Sequence, residues 1–394
     1  MERGGAGGAE ATRVIRSGRP PGHFSRTVGP SIEKGSTVLM PDAASLYDHR
    51  QATYGRGGLA THDALMSALV ELESAAAARL FPSGLAAMTG AMLAVLKAGD
   101  EVLVTDAVYK PTRRFCDRVL TRFGVGVRYY APRTAPDTLM AMAGPATRLI
   151  VMESPGSLTL EMQDVPAIAG LARSRGLLTL MDNTWAASLH FKPLDHGVDL
   201  SVQALTKYVA GHSDVFMGCA ATRDPRLAEA LDHAIWDFGW AVSPEDAYQV
   251  LRGLRTLPTR MARHQASGLT IAAWLRGQPR IAQILHPALP GSPDHELWRR
   301  DYAGAAGLFS VVFEPCPARA VRVFLDALRL FGLGFSWGGF ESLALDCDPQ
   351  FGVRVQRPAF AGPAVRLGIG LEDPQDLIAD LQRGFEAMDQ SPPE

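Results

Sequence analysis

Three short stretches place reactive side chains where apolar runs stop. Lys207 follows LSVQAL (200–205), Asp182 ends GLLTLMD (176–182), and Ser83-Gly84 opens the helical part of FPSGLAAMTGAMLAVLKAGD (81–100). A buried strand rarely ends on a lysine without cause, because an unpaired ammonium is costly to remove from water. Each group alone has an ordinary reading. Lys207 could be a solvated loop residue, Asp182 the cap of the turn that DNTW starts, and Ser83 a simple helix N-cap. Together they amount to an amine, an acid and free N–H groups at a helix N-terminus, the last suited to a phosphate. That set fits pyridoxal 5′-phosphate, which needs a lysine for its Schiff base and an acid against its pyridine nitrogen.

Such groups need a sheet to bring them to one rim. DEVLVTD (100–106), RLIVMES (148–154), GLLTLMD and DLSVQAL (199–205) are short apolar runs separated by helical segments. The first three are continuous rather than alternating, as strands buried on both faces are, and helices between them predict a mostly parallel sheet. Ligands of such sheets bind beyond the carboxyl ends of the strands, where Asp182 and Lys207 fall. After about residue 250 the alternation stops. A long helical region containing GLRTLPTRMARHQASGL comes first. Then GLFSVVFE, ARAVRVFLDALRL, AVRLGIGLE and PQDLIADLQRGFEAM read as strand, helix, strand and helix. The predicted fold is α/β, with an arm over 1–60, a cofactor-binding domain over 61–250 and a smaller α+β domain over 251–394. Residues 1–12 are expected to be disordered. The rest of the arm is expected to pack on something, a neighbouring subunit being the natural candidate.

Composition excludes several function classes. The chain has 394 residues, 47% hydrophobic and 20% charged, with a formal net charge of −2. A general nucleic-acid binder would be strongly basic, and nothing here attracts an anionic membrane. No apolar run reaches spanning length, and MERGGAGGAE lacks the apolar core of a signal peptide. A cytoplasmic protein is expected. The cysteines at 116, 219, 316 and 347 form no CxxC pair, and His190 and His196 show no metal spacing, so no metal is expected. No GxGxxG turn supports a dehydrogenase. His212, Ser213 and Asp214 are too close in sequence for a catalytic relay and read as structural.

Nine stretches carry a resemblance: YGRGGLATH (54–62), FPSGLAA (81–87), ESPGSLTLEMQDVPAI (153–168), MDNTWAA (181–187), QALTKYVAGHSD (203–214), GLRTL (253–257), HPALPGS (286–292), FSWGGFESL (335–343) and VRLGIGLED (365–373). From about residue 13 onward the sequence resembles the Cys/Met-metabolism family of pyridoxal-phosphate enzymes, in its bacterial cystathionine β-lyase branch. The resemblance implies fold type I, a homotetramer with shared active sites, and α,β-elimination of an amino-acid thioether. With cystathionine the products would be homocysteine, pyruvate and ammonia. By resemblance, Lys207 holds the cofactor and then moves protons, Asp182 keeps the pyridine nitrogen protonated, and Tyr109 stacks on the ring. Gly84, Leu85 and Thr206 hold the phosphate, with Tyr54 and Arg56 reaching it from the neighbouring subunit. Arg366 takes the substrate α-carboxylate, a planar group suited to arginine, beside Ser336 and Trp337.

The sequence departs from that branch at two places. Gly57 stands where a second arginine is usual, and Trp236 and Trp240 are prominent where a tyrosine is common. A charge-assisted contact of the missing kind is worth roughly 1.5–3 kcal/mol, or about tenfold to a hundredfold in specificity. Weaker preference for charged distal groups is therefore expected. Ala204, three residues before the lysine, points to the β-acting branch. A cysteine-conjugate C–S lyase, a γ-lyase or γ-synthase, and a non-catalytic pyridoxal-phosphate-fold regulator stay open as alternatives.

Overall fold

The structure is a computed structural model that describes residues 9–18, 27–48 and 51–390. Seven strands form the larger sheet: β1 (Ala77–Phe81), β2 (Glu101–Thr105), β3 (Gly126–Tyr130), β4 (Thr147–Glu153), β5 (Leu178–Asp182), β6 (Leu200–Ala204) and β7 (Gly218–Thr222). Their spatial order is β1-β7-β6-β5-β4-β2-β3. The run from β6 to β3 is parallel, and β7 is antiparallel to both its neighbours. Glu153, Asp182 and Ala204 therefore end adjacent strands at one edge of the sheet.

The continuous apolar runs become the central strands, as Leu149 to Met152 show by being wholly buried. β1, β3 and β7 escape the sequence reading for a physical reason. AARLF and GCAAT each hold a single residue of the β-branched or aromatic kind that marks strands, Phe81 and Thr222, and GVRYY is a half-exposed edge strand. The N-terminal expectation needs correction. Residues 1–8 lie outside the described residues, but α1 (Glu10–Arg16) is a helix, not disordered chain. It forms because Val14 is buried in the main apolar core and Arg13 pairs with Glu71 at 2.8 Å.

A second sheet follows, of β8 (Ile281–Leu285), β9 (Leu308–Phe313), β10 (Gly332–Leu333), β11 (Leu343–Asp346) and β12 (Ala364–Gly368), in the order β10-β11-β12-β9-β8. The helices Ala318–Ala327 and Pro374–Gln390 pack on it through Phe324 and Phe385, which meet Phe313. The long helical region is two helices, Pro244–Leu254 and Leu257–Arg276, broken where Pro258 opens the second. Among the described residues, no helix is long and apolar enough to cross a membrane.

Two more helices position the site. α2 (Ala60–Glu73) lies behind the sheet and α3 (Gly84–Val95) leaves β1 at the edge where Asp182 ends its strand. Glu73 of α2 is completely buried and accepts from Ser201 Oγ at 2.8 Å and from Gln203 Nε2. Gln203 also donates to Ser188 Oγ at 2.8 Å, as does Asn183 Nδ2 at 2.9 Å. This network ties α2 to the residue after Asp182 and to the strand that leads to Lys207. Burial raises the Glu73 pKa, although the bonds from Gln203 and Ser201 oppose the rise. An acid whose folded pKa lies above its unfolded value weakens the fold when ionised. The cost grows as pH rises through the unfolded value and levels off above the folded one. A Glu73→Gln variant is free of this titration. Its melting temperature relative to the wild type should therefore climb with pH from the usual carboxylate range upward; a pH-independent difference would show that Glu73 titrates normally.

Candidate active site

One cavity of about 290 Å³ opens at the sheet edge where β4, β5 and β6 end. Lys207, Asp182, Tyr109, Gly84, Leu85, Thr206, Arg366, Ser336 and Trp337 all line it. Tyr54 and Arg56 do not.

The wall formed by the start of α3 is a backbone cradle. Ser83 Oγ accepts the Ala86 N–H at 3.0 Å, and its carbonyl accepts the Ala87 N–H. The N–H groups of Gly84 and Leu85 precede the first bonds of the helix and are left to a ligand. Packing enforces the glycine. A Cβ on Gly84 would stand 2.4 Å from the Ala204 Cβ, and one on Gly218 would stand 2.3 Å from the Ser83 carbonyl oxygen. The Thr206 hydroxyl, on the same wall, is held by the Met217 N–H at 3.0 Å and the Met217 carbonyl at 3.2 Å.

Across from the cradle stand the titratable groups. Lys207 Nζ donates to Ser336 Oγ at 2.8 Å and lies 5.3 Å from the centre of the Trp337 ring. Burial, then the Arg366 guanidinium, lower its pKa to about 8. Asp182 accepts at Oδ1 from the Thr184 N–H at 3.0 Å and the Thr184 hydroxyl at 2.5 Å. Burial raises its pKa against those bonds. Glu153 is the register partner of Asp182 on the next strand. Burial, and then the charge of Asp182, push its pKa well up, and its Oε2 accepts the Tyr109 N–H at 2.7 Å. Arg366 is 6% exposed and donates from Nη2 to the carbonyls of Phe335 and Ser336 at 3.0 and 3.1 Å. Among the described residues, no carboxylate pairs with Arg366 or Lys207.

These residues suit pyridoxal phosphate on geometry. The cradle has donors for a phosphate, the buried carboxyl of Asp182 can face a pyridine nitrogen, and an amine of lowered pKa lines the same cavity. Tyr54 and Arg56, expected to reach a neighbour's phosphate, do not line the cavity of their own chain. Arg56 instead stacks on Trp236, 4.5 Å from the ring centre, and donates to the Trp236 carbonyl at 3.1 Å. Gly57 meets the same indole. A Cβ there would come 2.6 Å from Trp236 Cζ2, whereas the left-handed backbone belongs to Gly58, with φ 109°. The tryptophan thus occupies the space a side chain at 57 would need.

The GHSD stretch lies outside the cavity. Ser213 takes a left-handed φ of 59° and donates to Glu341 at 2.6 Å, clipping the lysine segment to the Ser336 segment. Glu153, Thr184 and the 155–160 loop were not anticipated as cavity residues. Glu153 was accessible to the strand-end argument, because it closes RLIVMES just as Asp182 closes GLLTLMD. Thr184 carried no signal beyond its place in MDNTWAA.

Comparison with known proteins identifies the family. The family described as Cys/Met metabolism PLP-dependent enzyme matches residues 11–386. A putative cystathionine β-lyase of Rhizobium johnstonii is 47% identical over 381 residues, covering 95% of this chain and 96% of that protein. The cystathionine β-lyase MetC of Escherichia coli is 40% identical over 388 residues, covering 95% and 97%. The solved structure of cystathionine γ-lyase from Lactobacillus plantarum, complexed with L-serine, superposes with a TM-score of 0.90 at 29% identity, covering 97% of this chain and all of that one. The expected α/β fold and cofactor class hold, and the chain belongs to the Cys/Met-metabolism family of pyridoxal-phosphate-dependent enzymes.

Proposed function

We propose that this enzyme is a carbon–sulfur lyase that removes the β-thiol of an amino-acid thioether, with cystathionine as substrate. The observation that carries the reading is Arg366, a buried guanidinium with no carboxylate partner among the described residues, in one cavity with a lysine of lowered pKa. A buried charge left unpaired is costly, and an α-carboxylate would supply the planar, bidentate partner. The substrate amine and Cα would then lie toward Lys207.

The Gly84 and Leu85 N–H groups and the Thr206 hydroxyl hold the cofactor phosphate. Asp182, kept in place by Thr184, holds a proton at the pyridine nitrogen. Bound there, pyridoxal phosphate supplies a sink for the electron pair left when the substrate Cα loses its proton. Lys207 takes that proton, with Ser336 orienting its amine. Loss of the Cα–H and Cβ–S bonds leaves a thiolate, which receives a proton from Lys207 or Tyr109. Hydrolysis of the remaining fragment gives pyruvate and ammonia. Partial burial and Glu153 raise the Tyr109 pKa, so the phenol is protonated and able to donate.

A γ-elimination reading draws on the likeness to a γ-lyase structure. Ala204 favours the β reading. A panel of cystathionine, cystine and S-aryl cysteines decides between them. Pyruvate should dominate; 2-oxobutyrate as the main product from cystathionine would sink the β reading. Since Trp236 fills the space beside Gly57, discrimination in favour of cystathionine over S-aryl cysteine should be modest.

The low pKa of Lys207 predicts how the apoenzyme takes up its cofactor. The neutral amine is the nucleophile, so attachment should quicken as pH rises toward about 8 and level off above it. Visible absorbance follows the rate. Borohydride reduction and peptide mapping should then place the label on Lys207. A label on Lys34, Lys97, Lys110 or Lys192 would refute the assignment.

The oligomer is a homotetramer of dimers with shared sites. Leu39 and Tyr47 of the arm are 91% and 80% exposed, and Tyr54 and Arg56 lie outside their own cavity. Mixing Lys207→Ala with Arg56→Ala subunits should restore part of the activity, since one hybrid site is intact. No recovery after demonstrated subunit exchange would rule out sharing.

A further inference from the structure

Behind Tyr109 lies a buried charge cluster that the mechanism leaves unused. Asp106 follows β2, three residues before Tyr109, and is 1% exposed. Oδ1 accepts the Val355 N–H at 3.0 Å and Oδ2 the Gln356 N–H at 2.9 Å. Arg113 bonds Oδ1, and Arg354 Nε stands 3.5 Å from Oδ2. Arg354 then donates to Thr159 Oγ1 at 2.9 Å and to Glu161 Oε1 at 3.4 Å. The side chains of Asp106, Arg113, Arg354 and Glu161 are 1%, 4%, 8% and 14% exposed. Two acids and two arginines balance in charge, and removing one member would leave a buried charge uncompensated.

The cluster joins three segments, two of which also meet where the Ser157 N–H donates to the Ala107 carbonyl at 2.9 Å. Residues 106–109 deliver Tyr109. Residues 157–161 form cavity wall through Ser157, Leu158 and Leu160. Residues 352–357 precede β12, the strand that carries Arg366. The wall needs outside support, because Leu158 and Leu160 hold φ at 67° and 56°. Residues other than glycine adopt that conformation only where their surroundings impose it. Ser310 Oγ grips the Leu158 carbonyl at 2.6 Å from the second sheet, and Arg354 grips the loop one residue further on.

We propose that Asp106 and Arg354 are positioning residues that set Tyr109 and the 157–161 wall against Arg366, acting through the 352–357 segment. The proposal rests on Tyr109 and Arg366 belonging to the reacting site, not on which thioether is cleaved. The test compares holoenzymes carrying Arg354→Met, Asp106→Asn and Arg354→Lys by hydrogen exchange and steady-state kinetics. In Arg354→Met, exchange should quicken about tenfold within 106–112 and 157–161 while β4, β5 and α2 keep their protection. Cofactor absorbance per subunit should be unchanged, and kcat should fall about tenfold to a hundredfold, more than KM changes. Arg354→Lys should recover part of the loss. Asp106→Asn keeps the shape of the side chain, so it carries the test if Arg354→Met does not fold. Unchanged exchange in the two segments, or uniform acceleration along the chain, overturns the proposal. Local acceleration in an enzyme whose wild type cleaves no thioether would refute the functional reading and leave the positioning role standing.

Discussion

Ionisable groups held out of water at one sheet edge set the terms for this structure. Lys207, Arg366, Asp182 and Glu153 share a cavity, yet among the described residues no carboxylate pairs with Lys207 or Arg366. Each leans on a neutral partner: Lys207 on Ser336, Arg366 on two carbonyls, Asp182 on Thr184, Glu153 on a backbone N–H. Neutral partners orient a charge without quenching it, so the charge stays available to a ligand. The desolvation this costs must be offset elsewhere, and apolar cores on both sheets supply the offset.

Close packing then turns those charges into a shaped site. The start of α3 presses so tightly on the ends of β6 and β7 that positions 84 and 218 admit no side chain. The same contact brings backbone donors within reach of the cavity that Lys207 and Asp182 line. Behind the sheet, the Glu73 network holds Asn183, which follows Asp182, and Gln203 on the strand that leads to Lys207, so cavity and scaffold are joined by hydrogen bonds rather than by apolar contact alone.

Much of this was legible in the sequence. The central strands β2, β4, β5 and β6 announce themselves by continuous apolar runs, and the strand-end argument leads straight to Asp182 and Lys207. What stayed hidden depends on long-range contact. β7, read as GCAAT, is a strand only because β1 and β6 flank it. α1 is ordered through distant partners, with Val14 in the core and Arg13 paired with Glu71. Arg354 looks like any loop arginine until the fold carries it to Asp106, 248 positions earlier in the chain. The role of Gly57 also needed coordinates, since Trp236 and not backbone geometry explains it.

The two left-handed leucines limit how the cavity wall can vary. Glycine at 158 or 160 would relax the backbone, so an argument from local strain alone would recommend it. Yet Leu158 also packs with Phe351 and Cys347, and both leucines give the cavity its surface. Easier backbone would come with a looser wall. Variation at these positions is therefore confined to side chains that fill the same volume and accept the same strain, and a stabilising change chosen by backbone criteria would act against the shape of the site.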